Sequence, residues 1–247
     1  MILVPAAIPE RAPAFRRLID PQLFPQARGG LTVEALAAGT RAEEAAGAEA
    51  VTIVLAGRAA HGGRADGVIG PGGGLYHPPG TRYALSAGAT PAVVLTVYAL
   101  PAPAPTPASA QGPAAAGGSV PLARRREAGA LTRAGGFAGM GVHWLATGAT
   151  VGSRRLALAT STFTPGGSHD LHRHPDADEF FLVLAGGGDH LTDTGRVRLA
   201  RGDLAYVPAG EWHGFRTRQG VTTVALYGYL GAAGLEQAGY QMKEAAA

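Results

Sequence analysis

Three histidines and a glutamate in the C-terminal half of the chain are the side chains best suited to bind a metal. His172 and His174 are two positions apart, so on a β-strand both rings point to the same face. Glu179 follows a polar turn and precedes the apolar residues 180–184, which are typical of a strand. His213 follows a second strand-and-turn pattern. Three imidazoles and one carboxylate suit Fe, Mn, Ni, Cu or Zn, and they leave coordination positions open for water, substrate or dioxygen.

The spacing of these residues resembles the metal-binding pattern of the cupin family. That pattern reads G-x5-H-x-H-x4-E-x6-G, followed by G-x5-P-x-G-x2-H-x3-N. The matching positions are Gly166, His172, His174, Glu179, Gly186, Gly202, Pro208, Gly210 and His213. Thr217 stands where the pattern has asparagine, a position that is not a ligand in the family. The resemblance implies that His172, His174, Glu179 and His213 hold one divalent transition metal.

A histidine taken alone is weak evidence for a metal site, because most are satisfied core or surface side chains. The chain has only eight histidines in 247 residues. Three of them at the fixed positions of one pattern therefore favour metal binding over coincidence.

The composition favours many short strands joined by tight turns. Glycine (38) and proline (18) are abundant, and aromatic residues make up only 6% of the chain. There is no cysteine, which excludes disulfides and thiolate sites. Together with the resemblance, this predicts an all-β fold of two cupin barrels in tandem, each a double-stranded β-helix or jelly roll.

Charge and hydropathy argue against nucleic-acid and membrane partners. The net charge is +3, and we interpret the basic cluster at residues 124–126 as a solvated linker end. No apolar stretch approaches the roughly 20 residues that span a bilayer. The N-terminal segment from Met1 to Arg17 lacks a basic start and is interrupted by prolines, unlike a signal peptide. We therefore predict a cytoplasmic protein with a small-molecule substrate.

Two motifs recur across the chain at a nearly constant offset. Residues 52–57 parallel residues 181–186, and residues 72–83 parallel residues 202–213, so the offsets are 129 (Gly57 to Gly186) and 130 (Pro78 to Pro208). This pattern resembles a bicupin. It predicts an N-terminal cupin with an N-terminal arm at residues 1–100, a Pro/Ala/Gly linker at 101–121, and a metal-binding C-terminal cupin at 122–247.

The first copy lacks the ligand set. In the same register the four ligand positions fall on Glu43, Ala45, Ala50 and Tyr83. We therefore predict a metal-free N-terminal barrel that closes the second barrel or forms a dimer, and the resemblance implies a homodimer. His61 and His77 are interpreted as ordinary loop or strand histidines.

The catalytic residues are not identified by the sequence. Candidates for the rim of the site are His169, Asp176, Asp178, Tyr206 and Trp212. His169 is an odd number of residues from His172, so on a regular strand it faces away from the metal, unless the turn at residues 166–168 redirects it. Arg173 alternates out of the ligand face. Residues 235–247 are predicted to form a terminal helix, and residues 1–28 to pack along a sheet edge.

Three classes of function fit the predicted site. The first is a metal-dependent oxidoreductase with dioxygenase-type chemistry on a small polar metabolite, as in many cupins with three histidines and a glutamate. The second is a redox-neutral hydrolase or isomerase. Residues 73–80 are similar to the first-barrel turn of the ureidoglycine aminohydrolases, although their second-barrel ligand set differs from the one here. The third is a non-catalytic module that binds a small molecule.

Overall fold

The computed structural model describes residues 1–10, 12–45, 48–62, 67–101, 119–122 and 136–243, with the backbone alone for residues 41–45. We call residues 1–122 the first half and residues 136–243 the second half. The first half contains β1 (Ile2–Val4), β2 (Ala14–Ile19), β3 (Gly29–Leu36), β4 (Arg41–Ala45), β5 (Ala50–Ala56), β6 (Ala59–His61), β7 (Val68–Ile69), β8 (Gly74–His77), β9 (Arg82–Ala87), β10 (Ala92–Ala99) and β11 (Val120–Pro121).

The second half is also built almost entirely from strands. It contains β12 (Phe137–Ala146), α1 (Gly148–Val151), β13 (Leu156–Arg173), β14 (Asp178–Ala185), β15 (Gly187–Thr192), β16 (Gly195–Ala200), β17 (Leu204–Val207), β18 (His213–Thr217), β19 (Thr223–Leu230), α2 (Leu235–Ala238) and β20 (Gln241–Met242). The prediction of an all-β chain is confirmed.

One long strand connects the two layers of the second half. The sheet order is β1-β17-β14-β19-β13-β18-β15-β16, and β12 and β20 also pair with β13. The 18 residues of β13 pair first with β19 and β12, and later with β18. This second pairing sets His172 directly opposite His213, which lies much later in the sequence.

The first half repeats this arrangement in two separate sheets. One has the order β11-β8-β5-β10-β3-β2, and the other has the order β4-β9-β6-β7. The pairing of Ala50 with His77 in the first half corresponds to that of Glu179 with Val207 in the second. The offsets between these pairs equal those between the sequence motifs. The strand register therefore agrees with the repeat seen in the sequence.

A short strand adds an edge to the large sheet of each half. Residues Ile2–Val4 add an edge to β17, and residues Val120–Pro121 add an edge to β8. The first of these strands crosses between the halves, whereas the second follows the sheet of the first half to its edge. The predicted N-terminal arm, residues 1–28, thus lies along two sheet edges, because β1 pairs with β17 of the second half and β2 pairs with β3 of the first. Backbone pairing across the two halves covers an edge that would otherwise be open.

Hydrophobic side chains fill three regions of the molecule. One cluster lies between the two large sheets and includes Leu31, Leu95, Leu158, Phe180 and Leu182, all at most 1% exposed. The other two clusters fill the interior of each half. Residues on β14 alternate between the interface and the interior of the second half, so both of its faces are buried, and residues 180–184 are apolar without interruption.

A buried carboxylate of the first half accepts hydrogen bonds from the second half. Glu49 is 6% exposed and accepts hydrogen bonds from Ser153 Oγ at 2.9 Å and from the backbone N–H groups of Arg154 and Arg155 at 2.8 and 2.9 Å. These donors belong to the turn that leads into β13. Glu49 therefore connects the first half to the start of the longest strand of the second.

Replacement of Glu49 by alanine should lower the free energy of unfolding by about 2–4 kcal/mol, because it leaves backbone donors buried without an acceptor. Urea denaturation of the two proteins measures the difference. Glu236 is exposed on α2, so Glu236→Ala is the matched control and should change stability by less than about 0.5 kcal/mol. Equal losses in both variants would contradict the role of Glu49.

Some predictions from the sequence are corrected or lie outside the described residues. The predicted terminal helix over residues 235–247 is wrong for residues 239–243, because the chain turns at Gly239 (φ +70°) and returns to pair with β13, and residues 244–247 lie outside the described residues. The basic residues 124–126 and most of the predicted linker lie outside the described residues. Within the part of the chain that the structure describes, no helix has the length and apolar character needed to cross a bilayer.

Candidate metal centre

The four predicted ligands meet inside the second half. His172 is the penultimate residue of β13, His174 follows that strand, Glu179 is on β14, and His213 begins β18. Each contributes one potential ligand atom, and these atoms lie within 4.8 Å of one another. All four residues are buried, at 1–6% exposure. The fold thus brings together every metal ligand that the sequence predicts.

Backbone carbonyls orient the three imidazole rings. The Nδ1 atoms of His172, His174 and His213 lie 2.8, 2.6 and 3.0 Å from the carbonyl oxygens of Asp170, Gly239 and Glu211. A carbonyl oxygen can only accept, so each Nδ1 carries the proton and each Nε2 directs a lone pair toward the other ligands. Metal-binding histidines are commonly held by such contacts.

The three Nε2 atoms that face one another have no hydrogen-bond donor within reach. The Nε2 atoms of all three histidines are buried without a hydrogen-bond partner. Those of His174 and His213 also lie 3.2 and 3.3 Å from Glu179 Oε2, although neither side of these contacts carries a proton in this tautomer. Lone pairs this close repel one another. A cation among them removes the repulsion, so the residues fit a divalent metal.

The electrostatics of the site favour an ionised carboxylate. Burial alone raises the pKa of Glu179, but the neighbouring His213 and His174 outweigh it and hold this pKa well below its usual range. Burial likewise opposes protonation of His213, yet the charge of Glu179 prevails and raises the pKa of His213. With the three imidazoles neutral, as metal ligands must be, the donor set carries the single negative charge of Glu179, which complements a divalent cation.

A cavity of about 120 Å³ lies against the ligands. His172, Glu179 and His213 form part of its wall. The rest is mainly aromatic, with eight Phe, Tyr and Trp rings in addition to Met140, Val142 and Leu235. Among the described residues, no arginine or lysine lines it. The metal centre thus opens into an apolar, aromatic space.

His169 lies at the site, contrary to its expected orientation on a regular strand. Its ring stacks on His172 with the centroids 3.6 Å apart, and its Nε2 lies 3.0 Å from Tyr240 Oη. The pairing of β13 with β18 is irregular between His169 and His172, which restores the ring to the ligand side. The turn expected at residues 166–168 is instead part of β13, where Gly166 has a positive φ of 75° within the continuous strand.

Sequence reasoning missed several side chains of the cavity that carry polar atoms, among them His190, Tyr227, Tyr229 and Tyr240. Tyr240 lines it from the C-terminal segment, and His190 lines it from β15 with its Nδ1 buried and unpartnered. Burial, followed by the charges of Asp170 and Glu179, raises the pKa of Tyr240 to about 12. Burial lowers the pKa of His190 to about 3. Neither Tyr240 nor His190 belongs to a recognisable motif, so only the fold reveals them.

Several other rim candidates do not line the cavity. Asp178 accepts hydrogen bonds from the backbone N–H of Arg28 at 2.7 Å, Tyr206 Oη at 2.9 Å and the backbone N–H of Ala209 at 3.0 Å. Asp178 therefore holds in position the neighbouring Glu179 and the turn before His213. Asp176 and Tyr206 are also absent from the cavity wall, and the Trp212 ring lies 4.7 Å from the guanidinium carbon of Arg173.

Two further side chains of the motif act outside the cavity. Arg173 donates to Gln241 Oε1 at 2.8 Å and points away from the ligands, as predicted from strand alternation. Thr217 is buried and lies 2.7 Å, oxygen to oxygen, from Thr223, and both donate to the carbonyl of Gly187. Thr217 thus holds a turn and leaves the ligand set unaffected.

In the corresponding region of the first half, a cavity of about 440 Å³ is lined by Ala50 and Tyr83, and Tyr83 stacks on His77. The rings of Tyr83 and His77 are 3.6 Å apart and nearly parallel. The nitrogens of His77 lie 2.7 Å from Ser119 Oγ and 3.1 Å from Thr52 Oγ1. The side chain of Glu43 lies outside the described residues. Within the described chain, no second group of three potential ligands occurs.

Acid should weaken the first half through His77. Burial, followed by the charge of His61, lowers the pKa of His77 to about 3. A histidine with a lowered pKa stabilises the fold above its unfolded pKa of about 6.5, and this contribution is lost as the pH falls toward 3. We expect the stability advantage of the protein over His77→Gln to shrink from pH 7 to pH 4. Thermal unfolding measures it, and a constant difference would contradict the prediction.

Comparison with known proteins identifies the fold. Residues 159–227 match the family model described as the cupin domain. No curated protein matches the sequence.

Similar solved structures cover nearly the whole chain. An arginine-to-alanine mutant of Bacillus subtilis oxalate decarboxylase has a TM-score of 0.71 and 15% identity, covering 98% of this chain and 79% of that one. The formate complex of Lactobacillus farciminis oxalate decarboxylase has a TM-score of 0.64 and 14% identity, with 88% and 81% covered. A structure from a study of the Mn(II) centres of the Bacillus subtilis enzyme has a TM-score of 0.64 and 16% identity, with 92% and 74% covered. This chain has the cupin fold.

Proposed function

We propose that this chain is a metal-dependent cupin enzyme that acts on a small molecule by dioxygenase-type chemistry. His172, His174, Glu179 and His213 would hold one divalent transition metal. The observation that supports this is the convergence of three unpartnered, buried Nε2 atoms and an ionised carboxylate at the wall of a cavity. A structural metal site is closed by its protein ligands, whereas this one borders a space that admits a substrate.

The bound metal would supply Lewis acidity and, as Fe, Mn, Ni or Cu, a redox-active centre for dioxygen. The protein contributes orientation and a dry environment. The apolar rings exclude water from the ligands, which strengthens every charge interaction in the cavity. Tyr240 stays protonated at neutral pH, so its hydroxyl can donate to a substrate oxygen, while its contact with His169 holds it in position.

We further propose that the chain is a tandem duplication in which the second barrel alone is catalytic. The related strand orders and the near-constant offset between corresponding strand pairs support two related barrels. The first half would stabilise the second by supplying the β1 edge, the Glu49 contacts and the apolar interface. A homodimer is proposed as well, and light scattering at several concentrations would test it.

Elemental analysis of tag-free protein, purified without chelator, tests the metal centre directly. We expect about one equivalent of metal per chain. Manganese is the first metal to supply, because a solved structure of similar fold is described with Mn(II) centres. Protein that stays folded but neither contains metal nor takes it up on incubation would overturn the proposal.

Oxygen consumption separates the classes of chemistry. The metal-loaded protein is offered diketones, phenolic acids, small 2-oxo acids and oxalate in an oxygen electrode. Uptake with one of them supports the oxygenase. Ammonia release from ureidoglycine without oxygen uptake would favour a hydrolase. A ligand that raises the melting temperature without turnover would favour a binding protein.

A further inference from the structure

The wall of the cavity limits which substrates the metal centre can accept. Opposite the ligands stand aromatic rings, among them Trp144, Phe163, Phe181 and Phe215. Phe163 and Phe215 lie 4.9 Å apart and tilted, and Phe181 is 4.8 Å from Phe215. Rings in such arrangements pack well against the face or edge of another ring. Burial of apolar surface therefore dominates binding in this part of the cavity.

The same wall lacks a counterion for an anionic group. Among the described residues, the cavity contains no arginine and no lysine, and its carboxylate is Glu179. A second negative charge on a substrate would be desolvated here without a partner, which costs on the order of several kcal/mol even after relaxation. The His190 Nδ1 atom provides a buried neutral position for a single hydrogen bond.

The volume of the cavity sets an approximate upper limit on the size of the substrate. The cavity measures about 120 Å³. An apolar engineered cavity of about 150 Å³ is known to bind benzene, so the space here is of the order of one ring. The mouth is marked by Met140, Leu235 and Tyr240, whose side chains are partly exposed. A single ring entering between them reaches the ligands with one edge.

We propose that the substrate is a planar, single-ring molecule with two adjacent oxygen atoms, carrying at most one negative charge when it chelates the metal. The ring occupies the aromatic part of the cavity, and the two oxygens face the part of the wall formed by His172 and His213. Small dicarboxylates and other polar metabolites are disfavoured, which departs from the polar substrate predicted from the sequence. This inference rests on the proposed metal-dependent function.

Tropolone is a suitable probe, because it is a planar ring with two adjacent oxygens that binds as a monoanion. Calorimetry on the metal-loaded protein compares tropolone with oxalate, and gel filtration followed by elemental analysis checks that metal and probe remain on the protein. We expect tropolone to bind at least about tenfold more tightly than oxalate, corresponding to about 1.4 kcal/mol. If oxalate bound as tightly as tropolone, or if tropolone removed the metal from the protein, the proposed substrate class would be overturned. The proposed metal-dependent function would not be affected.

Two variants test whether the aromatic cavity holds the ring. Val142→Phe fills the space, so tropolone affinity should fall at least about tenfold with metal content unchanged, while the matched Val120→Phe, at an exposed position on β11, retains binding. Leu235 lies at the mouth of the cavity and is 37% exposed. Leu235→Trp therefore narrows the entrance without repacking the core, and it should also lower the affinity for tropolone. Unchanged affinity in both folded variants would place the ring elsewhere. Wild-type protein that retains no metal would overturn this inference and the proposed function together.

Discussion

His174→Ala and His213→Ala proteins are expected to purify without metal and to lose catalytic activity, while remaining folded. Each substitution removes one Nε2 ligand from a set of four, and removal of an outer partner alone weakens metal affinity by about 10–100-fold in such sites. We therefore expect a loss of at least about 100-fold in metal affinity. Elemental analysis, circular dichroism and oxygen uptake measure the three properties separately.

The matched control is another histidine of the second half. His143 lies on β12 and does not line the cavity, so His143→Ala should keep about one equivalent of metal. Tyr83→Phe in the first half should also leave the metal content unchanged. Full metal occupancy in His174→Ala or His213→Ala would show that these residues are not ligands, and loss of metal in Tyr83→Phe would locate a site in the first half.

Asp178→Ala is expected to lower the free energy of unfolding by about 3–6 kcal/mol, because each buried donor left without its acceptor costs about 1–3 kcal/mol. Three donors are affected, namely Arg28 N–H, Tyr206 Oη and Ala209 N–H, at 2.7–3.0 Å in the intact protein. Because Asp178 connects the first half to the turn before His213, metal affinity should fall together with stability.

Asp178→Asn separates hydrogen bonding from charge. The amide keeps one acceptor oxygen and nearly the same volume, so it should lose less stability than alanine, about half as much. Urea denaturation and metal titration are measured for both variants. If alanine and asparagine were both as stable as the parent protein to within about 0.5 kcal/mol, the carboxylate would not connect the two halves.

The resemblance of the motif predicted, without any structure, the four candidate ligands that the fold brings together. His172 and His174 share a face because side chains alternate along a strand, and Glu179 and His213 follow at fixed distances from recognisable turns. Glycine, proline and short apolar stretches favoured short strands, and together with the resemblance they predicted the all-β class. These features are local, so the order of residues along the chain determines them directly.

Predictions from local sequence failed where the backbone departs from regular strand geometry, or where a segment distant in the sequence pairs with the strand. The irregularity of β13 placed His169 beside His172 although strand alternation alone turned it away. The C-terminal segment, predicted as a helix, pairs with β13 and brings Tyr240 into the cavity and the Gly239 carbonyl to His174. Such contacts depend on pairing partners many residues apart, which periodicity does not specify.

Ligand types, ligand spacing, the strand-rich fold and the internal repeat all follow from the order of residues along the chain. The character of the cavity, the pairing of β1 with the second half and the burial of both faces of β14 follow from packing instead. A continuous apolar strand has the same pattern whether its outer face meets another sheet or lines a cavity. Only the packing of the two halves assigns Phe180 and Leu182 to the interface and Phe181 to the cavity, because that choice depends on which surface each side chain meets after folding.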